Sequence, residues 1–439
     1  MAAIDRSIIE QAVLEANDQS QDIDIVPGIA SFDYYEDIFS PTITAKAVVF
    51  NTGDTIKGKD GKFQSIYNGL PLRGGERLSL KVAPNSEDNK GLDFSKSPSD
   101  YFSVESITDV ITMEKKESFV LNLTSRETIT NETTRVPCKF GTSSSIDVSV
   151  EKILKEYLKT EKKLDIDKTS NPYGFIGNLK KPYALLVWLA SKAVPVESSG
   201  GTAGFVFFQT QDGFHFKSID DLIKEEPKAS YTYTEYNKSA IERNNDFNII
   251  KYFTNKNQNL VEKLKLGAYS SFVATYDPQT CEFSLPQKGT FTLDKYVGKT
   301  KNLGSEIKLP PISEGSKDTL GDIPSRMMTM VIDRGTVEKE VSTEINADPF
   351  KHQSQSIMRY NVLFTQEVNM TVPLNTNLRA GDIIECKLPR VSGAGNEFDD
   401  EQSGLYMIKE LCHHFDKNQS ITSMLLVRDT FGLYGKNNK

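Results

Sequence analysis

LRGGERLSLKV at residues 72–82 and LRAGDIIECKL at residues 378–388 are two copies of one strand-turn-strand sentence, one near each end of the chain. Leu72, Arg73, Gly75 and Lys81 recur as Leu378, Arg379, Gly381 and Lys387, while Glu76, Leu78 and Val82 become Asp382, Ile384 and Leu388. In both places an aromatic-aliphatic strand follows, YFSVESI from 101 and LYMIKEL from 405, and then a closing strand, FVLNLTSRETI from 119 and ITSMLLVRDTF from 421. A weaker block precedes each copy, with Phe39, Ile43, Ala47 and Val49 aligned on Phe364, Val368, Val372 and Leu374. Conserved order with small changes in spacing is the mark of an internal repeat with loop insertions, so two homologous small β-domains are expected. Segments 35–129 and 357–431 should superimpose, with Gly75 and Gly381 in equivalent turns.

The chain is 439 residues long, which implies about two to four domains. A charged fraction of 26% and a mean hydropathy of −0.42 describe an ordinary soluble globular protein. No stretch approaches the ~20 apolar residues of a membrane span, and MAAIDRSIIEQAVLEAND at the N-terminus is acidic and amphipathic, so neither a membrane anchor nor a secretion signal is expected. Cys138, Cys281, Cys386 and Cys412 are far apart with no CxxC spacing, which indicates neither a disulfide framework nor a zinc ribbon. The net charge of −8 argues against a protein that holds nucleic acid by neutralising phosphates.

Along the chain, Ile43, Ala45, Ala47 and Val49 give the alternation of a half-buried strand. Strands are also expected at 76–83, 101–112 and 117–125, with 84–100 (PNSEDNKGLDFSKSPSD) a long exposed loop. From 131 to 242 the period changes. Val150, Ile153, Leu154, Tyr157 and Leu158 form a helical stripe capped near Asp147, and PYALLVWLASKAV starts a buried helix at Pro182. FVFFQT, the turn Gln211-Asp212-Gly213 and FHFKS form a hairpin. LVEKLKLG is a short helix ending on Gly267, followed by the strand YSSFVATYD. The fold class is therefore α+β, mainly β. The boundaries are a first β-barrel domain at 1–130, an α/β domain at 131–242, and a second, discontinuous β-barrel domain at 243–283 and 350–432. An insertion with a long loop occupies 284–349, and a frayed tail 433–439.

With this order in view, the chain resembles the baseplate hub protein of contractile-tailed bacteriophages, a component also found at the head of type VI secretion spike proteins. The resemblance rests on LRAGDIIECKL, the strand GLYMIKEL from Gly404, the closing LLVRDTFG, the hairpin GFVFFQTQDGFHFKSIDDL from Gly204, and LGAYSSFVATYDPQT from Leu266, and it covers nearly the whole chain. It implies a homotrimer whose two barrels per subunit make a pseudo-six-fold ring around a wide channel. Such a ring adapts a hexameric tail tube to a trimeric cell-puncturing spike and lets double-stranded DNA pass during ejection. The implied partners are the spike, the tube and neighbouring baseplate proteins, and the implied location is the virion tail, assembled in the host cytoplasm. The chain departs from the pattern at 84–100 and 284–349.

The residues offer little chemistry. Cys412 and His414 share one face of a strand beside His413, but no second Cys/His pair accompanies them, so no metal site is expected. His215 sits in a hairpin and His352 in a polar turn, and no GxSxG elbow or papain-like cysteine motif is present. Asp220-Asp221 at a helix start and Asp399-Asp400 in a loop read as surface charge, and SSGGTAG lacks the Lys-Ser/Thr of a phosphate cradle. Trp188 reads as core, with an interface anchor as the alternative. Arg126 and Arg428, each followed by an acid and a threonine, are expected at matching positions, either with a shared role such as a charge-assisted bond at a domain junction or as solvated arginines at strand ends. No catalytic residue, cofactor or metal is expected. The reading is a structural hub, with a baseplate cell-wall hydrolase or a carbohydrate-binding tail accessory protein as the alternatives.

Overall fold

The computed structural model describes residues 7–57, 61–86, 89–196, 201–234, 245–255, 259–284, 289–297, 299–305, 307–334, 345–346, 348–391 and 397–433. The tail GKNNK, the first six residues and part of SSGGTAG lie outside them. The molecule is mainly β, built on one sheet of 14 strands.

Two sets of six strands lie in that sheet in the same order. In the first, Ile29–Asp37, Thr44–Thr52, Lys116–Ser125, Phe102–Thr112, Arg77–Val82 and Ile9–Glu15 are neighbours in turn. In the second the sequence is Lys251–Asn255, Gln366–Pro373, Ser420–Arg428, Gly404–Asp416, Ile383–Lys387 and Ala229–Thr232. All pairs are antiparallel except the last, in which Ala229–Thr232 runs parallel to Ile383–Lys387. No strand pairing among the described residues closes either set into a ring. The two are fused edge to edge instead, because Gly404–Asp416 pairs with Ile29–Asp37.

The repeated turns are equivalent in detail. Gly75 has φ 93° and Gly381 φ 94°, a left-handed conformation that glycine adopts without steric cost. Gly75 N donates to Val104 O at 2.7 Å and Gly381 N to Ile408 O at 2.8 Å, while Val104 N and Ile408 N return bonds to Glu76 O and Asp382 O. Each central strand then carries a bulge at the same place, Glu105 in one and Lys409 in the other.

Strand register corrects two alignments read from the sequence. Leu123 lies opposite Val104 and Ala45, and Leu426 opposite Ile408 and Val368, so Ala45, Ala47 and Val49 match Val368, Met370 and Val372. The earlier block was slipped by two residues. Alternation cannot detect that, since a two-residue slip keeps every side chain on its face. The same register puts Arg428 opposite Ser125 in the repeat and not opposite Arg126. Residues 117–125 and 420–428 then bury the same positions in the same order, which the one-residue slip would have inverted.

The segment after the first set has its own apolar core, including Ile146, Val150, Leu154, Leu186, Leu189, Phe207 and Phe214. The helix Ile146–Lys152 begins there and continues as a π turn to Tyr157, and Pro182–Ala190 carries proline in its first turn. Phe205–Thr210 and Gly213–Ser218 form the hairpin, with Leu164–Ile166 added in parallel. Trp188 is half-buried at the margin of this core, edge-on to Phe175 and under the ammonium groups of Lys180 and Lys192.

Several placements differ from the sequence reading. Ala229–Thr232 belongs to the second strand set, whereas Ser271–Asp277 leaves it and centres a separate small sheet with Arg326–Val331. The 84–100 loop is not wholly exposed. Asn85, Asn89, Leu92 and Phe94 are buried, because Asn89 Nδ2 donates to Leu374 O at 2.8 Å and Gly91 N to Thr376 Oγ1 at 3.0 Å, which ties the loop to the second copy. His352 is buried on a helix, Pro349–Leu363, and not in a polar turn. That helix opens with Asp348 accepting from Phe350 N and with Pro349 in its first turn.

Candidate functional site at the junction of the two repeats

Where the copies meet, one buried polar cluster draws on three parts of the chain. Glu36, on the strand Ile29–Asp37, has its carboxylate among Tyr34 OH (2.7 Å), Gln211 N (2.9 Å) and Ala380 N (2.8 Å), all donating to it. Arg379, from the second repeated turn, donates through Nη2 to Gln211 at 2.8 Å and through Nε to Asp212 at 3.1 Å, and its Nη1 caps the carbonyls of Thr376 and Leu378. First copy, hairpin and second copy are thus locked at one point. Burial raises the Glu36 pKa against the opposing pull of Arg379 and of the hydrogen bonds.

The two turns solve the same problem differently. In the first, Glu76 accepts from both Arg73 N (2.7 Å) and Gly74 N (2.9 Å). In the second, the shorter Asp382 accepts from Arg379 N at 2.8 Å, and the next amide, Ala380 N, goes to Glu36 of the other copy. Burial pushes Asp382 up to about 7.

Cys412, His413 and His414 lie on the strand that crosses the junction. His413 is buried and stacks on Tyr34, with Nδ1 at 2.9 Å from Thr422 Oγ1, and burial lowers its pKa to about 3. His414 lies on the opposite face between Asp33 and Asp416. Burial works against its protonation, but the hydrogen bonds and charges of Asp33 and Asp416 together outweigh it and the pKa rises. Burial pushes the Cys412 thiol up to about 12, which keeps it protonated and a poor ligand or nucleophile. Among the described residues no three His, Cys, Asp or Glu side chains are grouped to hold a metal ion. An open concavity of ≈ 610 Å³ runs over this face, lined in part by Tyr35, Asp37, Lys251, Phe253 and Cys412.

A second polar cluster was not legible in sequence. Arg359, fully buried on the helix Pro349–Leu363, is 2.9 Å from Asp220 and 3.1 Å from Asp429, and also donates to Tyr296 OH. Asp220 therefore is not surface charge: it also accepts from Thr202 N and Oγ1, and it ties the α/β segment to the second copy. Arg428 is equally buried. It stacks on Tyr406 and donates to the carbonyls of Glu401, Gln402, Ser403, Thr430 and Gly432. Arg126, at the start of the helix Arg126–Thr133, is exposed, so the two arginines share no role. His215 stacks on Phe208 beside Thr210, and Asp399 closes a turn by accepting from Glu401 N and Gln402 N. Arg126 apart, these groups are spent on holding backbone or pairing elements.

The sequence matches no protein-family model and no curated protein. Among solved structures, a tail protein from Neisseria meningitidis MC58 is similar over 95% of this chain and 96% of that one, with TM-score 0.54 and 8% identity. The 43 kDa tail protein of prophage MuSo2 from Shewanella oneidensis is similar over 96% and 100%, with TM-score 0.51 and 10% identity. The fold is that of a phage tail protein. The likeness spans nearly the full length of all three chains, so it includes the repeats, the hairpin segment and the small sheet together. Among the described residues, no helix is long and apolar enough to cross a membrane.

Proposed function

We propose that this chain is the structural hub of a contractile tail baseplate: a homotrimeric ring that adapts a hexameric tail tube to a trimeric spike and forms a conduit for DNA ejection. The observation that carries the reading is the repeated six-strand order. A chain that presents the same sheet twice offers, as a trimer, six near-equivalent positions around one axis, which converts three-fold into six-fold symmetry. The fold-level likeness to phage tail proteins supports the same reading, and with it a location in the virion tail.

The reading includes no catalysis. The titratable groups of the junction serve as hydrogen-bond anchors, and burial holds His413 and Cys412 away from the pKa range of a general base or nucleophile. A baseplate hydrolase would need a pair of open carboxylates or an activated nucleophile, whereas Glu36 and Asp220 are buried, Asp382 is partly buried, and all three are engaged. We further propose a neutral to acidic channel wall, since 60 acidic residues face 52 basic ones. Such a wall retains DNA weakly at every salt concentration, whereas a basic wall holds it at low salt and releases it steeply as salt rises.

Native mass spectrometry of the full chain, alone and mixed with its spike, tests the assembly. The expected species contains three copies of this chain. A stable monomer in the mixture contradicts the ring.

A further inference from the structure

Within one chain, the fused junction is a strand pairing that begins at the bulge. Before Lys409, residues 404–407 pair with Ile383–Cys386; after it, Glu410–Asp416 turns away and pairs with Ser31–Asp37. The first copy has the same bulge at Glu105 and the same pairing before it, Phe102 and Ser103 with Leu78 and Arg77. Beyond it, however, the outer edge of Ser106–Thr112 has no strand partner among the described residues. Val110 and Ile111 on it are 39% and 55% exposed.

The complementary edge is also open. Lys251–Asn255 pairs with Gln366–Pro373 as Ile29–Asp37 pairs with Thr44–Thr52, so it is the second copy's version of the strand that receives the junction. Its outer edge has no strand partner among the described residues, and Phe253 is 63% exposed. Open, apolar strand edges invite pairing, and proteins ordinarily cover or charge them.

We infer that Ser106–Thr112 of one subunit pairs antiparallel with Lys251–Asn255 of the next, repeating between chains the junction that the repeats make within a chain. The occupant of each edge is thus a second copy of this protein. The register follows from the repeat. Ile111 lies opposite Ser118 as His414 lies opposite Ile421, and Phe253 lies opposite Asn369 as Asp33 lies opposite Lys46. Since His414 pairs with Asp33, Ile111 pairs with Phe253, Thr112 with Tyr252 and Thr108 with Asn255. An ion-paired couple inside the chain is replaced by two exposed apolar side chains that cover one another. In place of His413 the first copy inserts two residues, Asp109 and Val110, with Asp109 at φ 52°, so the inter-subunit ladder carries an extra bulge.

The two edges differ, so the contact is head-to-tail. Such a contact closes into a ring only if its rotation divides the circle, and a step equivalent to the intrachain one closes three chains as six positions. This rests on the trimeric reading above, and the test separates the two. A full-length variant carrying Ile111→Cys and Phe253→Cys is mildly oxidised beside each single variant. Facing strand residues lie within disulfide range, so the double variant should give covalent dimers and trimers that the singles do not. A trimeric mass without those links overturns the register while leaving the ring intact. A monomeric mass alone and with the spike overturns both. As an independent readout, Phe253→Asp, on an exposed position, should keep the circular dichroism of the parent and weaken self-association by at least about ten-fold. Unchanged association would count against the interface.

Discussion

The turn Arg73–Glu76 and the turn Arg379–Asp382 share a left-handed glycine, an arginine amide donated to the acid that follows the glycine and the same bond to the central strand, yet one lies in the open and the other in a three-way junction. Arg73 is exposed; Arg379 is largely covered and lies against Gln211, Asp212 and the carboxylate of Glu36. The difference teaches that the repeat preserves backbone and that neighbours decide what each copy is for. The second copy has become the centre of the subunit. Among the described residues the first copy's edge has no strand partner, and that edge is where the next subunit is inferred to dock.

The comparison breaks most sharply at Arg428 and its counterpart Ser125. Replacing Arg428 with Met removes the guanidinium donor from five carbonyls, two of which keep a second donor in Gly432 N and Tyr406 OH, so unfolding should become easier by about 3 kcal/mol. Ser125→Ala should cost under about 1 kcal/mol by the same denaturant titration. Equal losses would mean that Arg428 is not the copy-specific anchor its geometry implies.

Next come the arginines of the turns. Arg379→Ala removes the cation nearest Glu36 and unpairs Asp212, which should cost about 2–3 kcal/mol. Arg73→Ala should leave the melting temperature close to that of the parent.

The glycines sharpen the comparison further. A Cβ at either position is strained by the positive φ, at about 1–2 kcal/mol. At Gly381 it also meets Phe208 Cζ at 3.3 Å, a packed ring, whereas at Gly75 it meets the movable Asn17 Oδ1 at 2.9 Å. Gly381→Ala should therefore exceed Gly75→Ala by about 1 kcal/mol in chemical denaturation.

The smallest effect is a pH dependence. His414 has its folded pKa raised above the ordinary 6.5, so its stabilisation of the junction is complete below that value and is lost as pH rises through the folded one. Being partly open to solvent, it contributes modestly. Melting curves of His414→Gln across this window should lose that slope, and the parent slope surviving the substitution would remove His414 from the account.

The repeat was legible in the sequence because its turn needs a glycine at a positive φ and an acid one residue later, constraints that survive divergence in Gly75-Glu76 and Gly381-Asp382. The caps at Pro182 and Gly267 and the hairpin at Asp212-Gly213 were legible for the same reason. Register was harder. Matching Arg126 to Arg428 by residue name overrode the alternation of buried positions, and the two-residue slip of the first block was invisible to alternation altogether. The junction was least legible. Glu36, Arg379, Asp220, Arg359 and Asp429 look like ordinary surface charges in sequence, since only tertiary contact brings their partners within reach. The Asp348-Pro349 start of a helix was a readable signal that the strand pattern on either side obscured.

The most direct test of the central claim is an electron cryo-microscopy reconstruction of the protein assembled with its spike. The account predicts a closed trimer in which first and second copies alternate at steps of about 60°, with Ser106–Thr112 of each chain running beside Lys251–Asn255 of the next. Subunits arranged without that alternation, or with both edges exposed to solvent in the assembled particle, would contradict it.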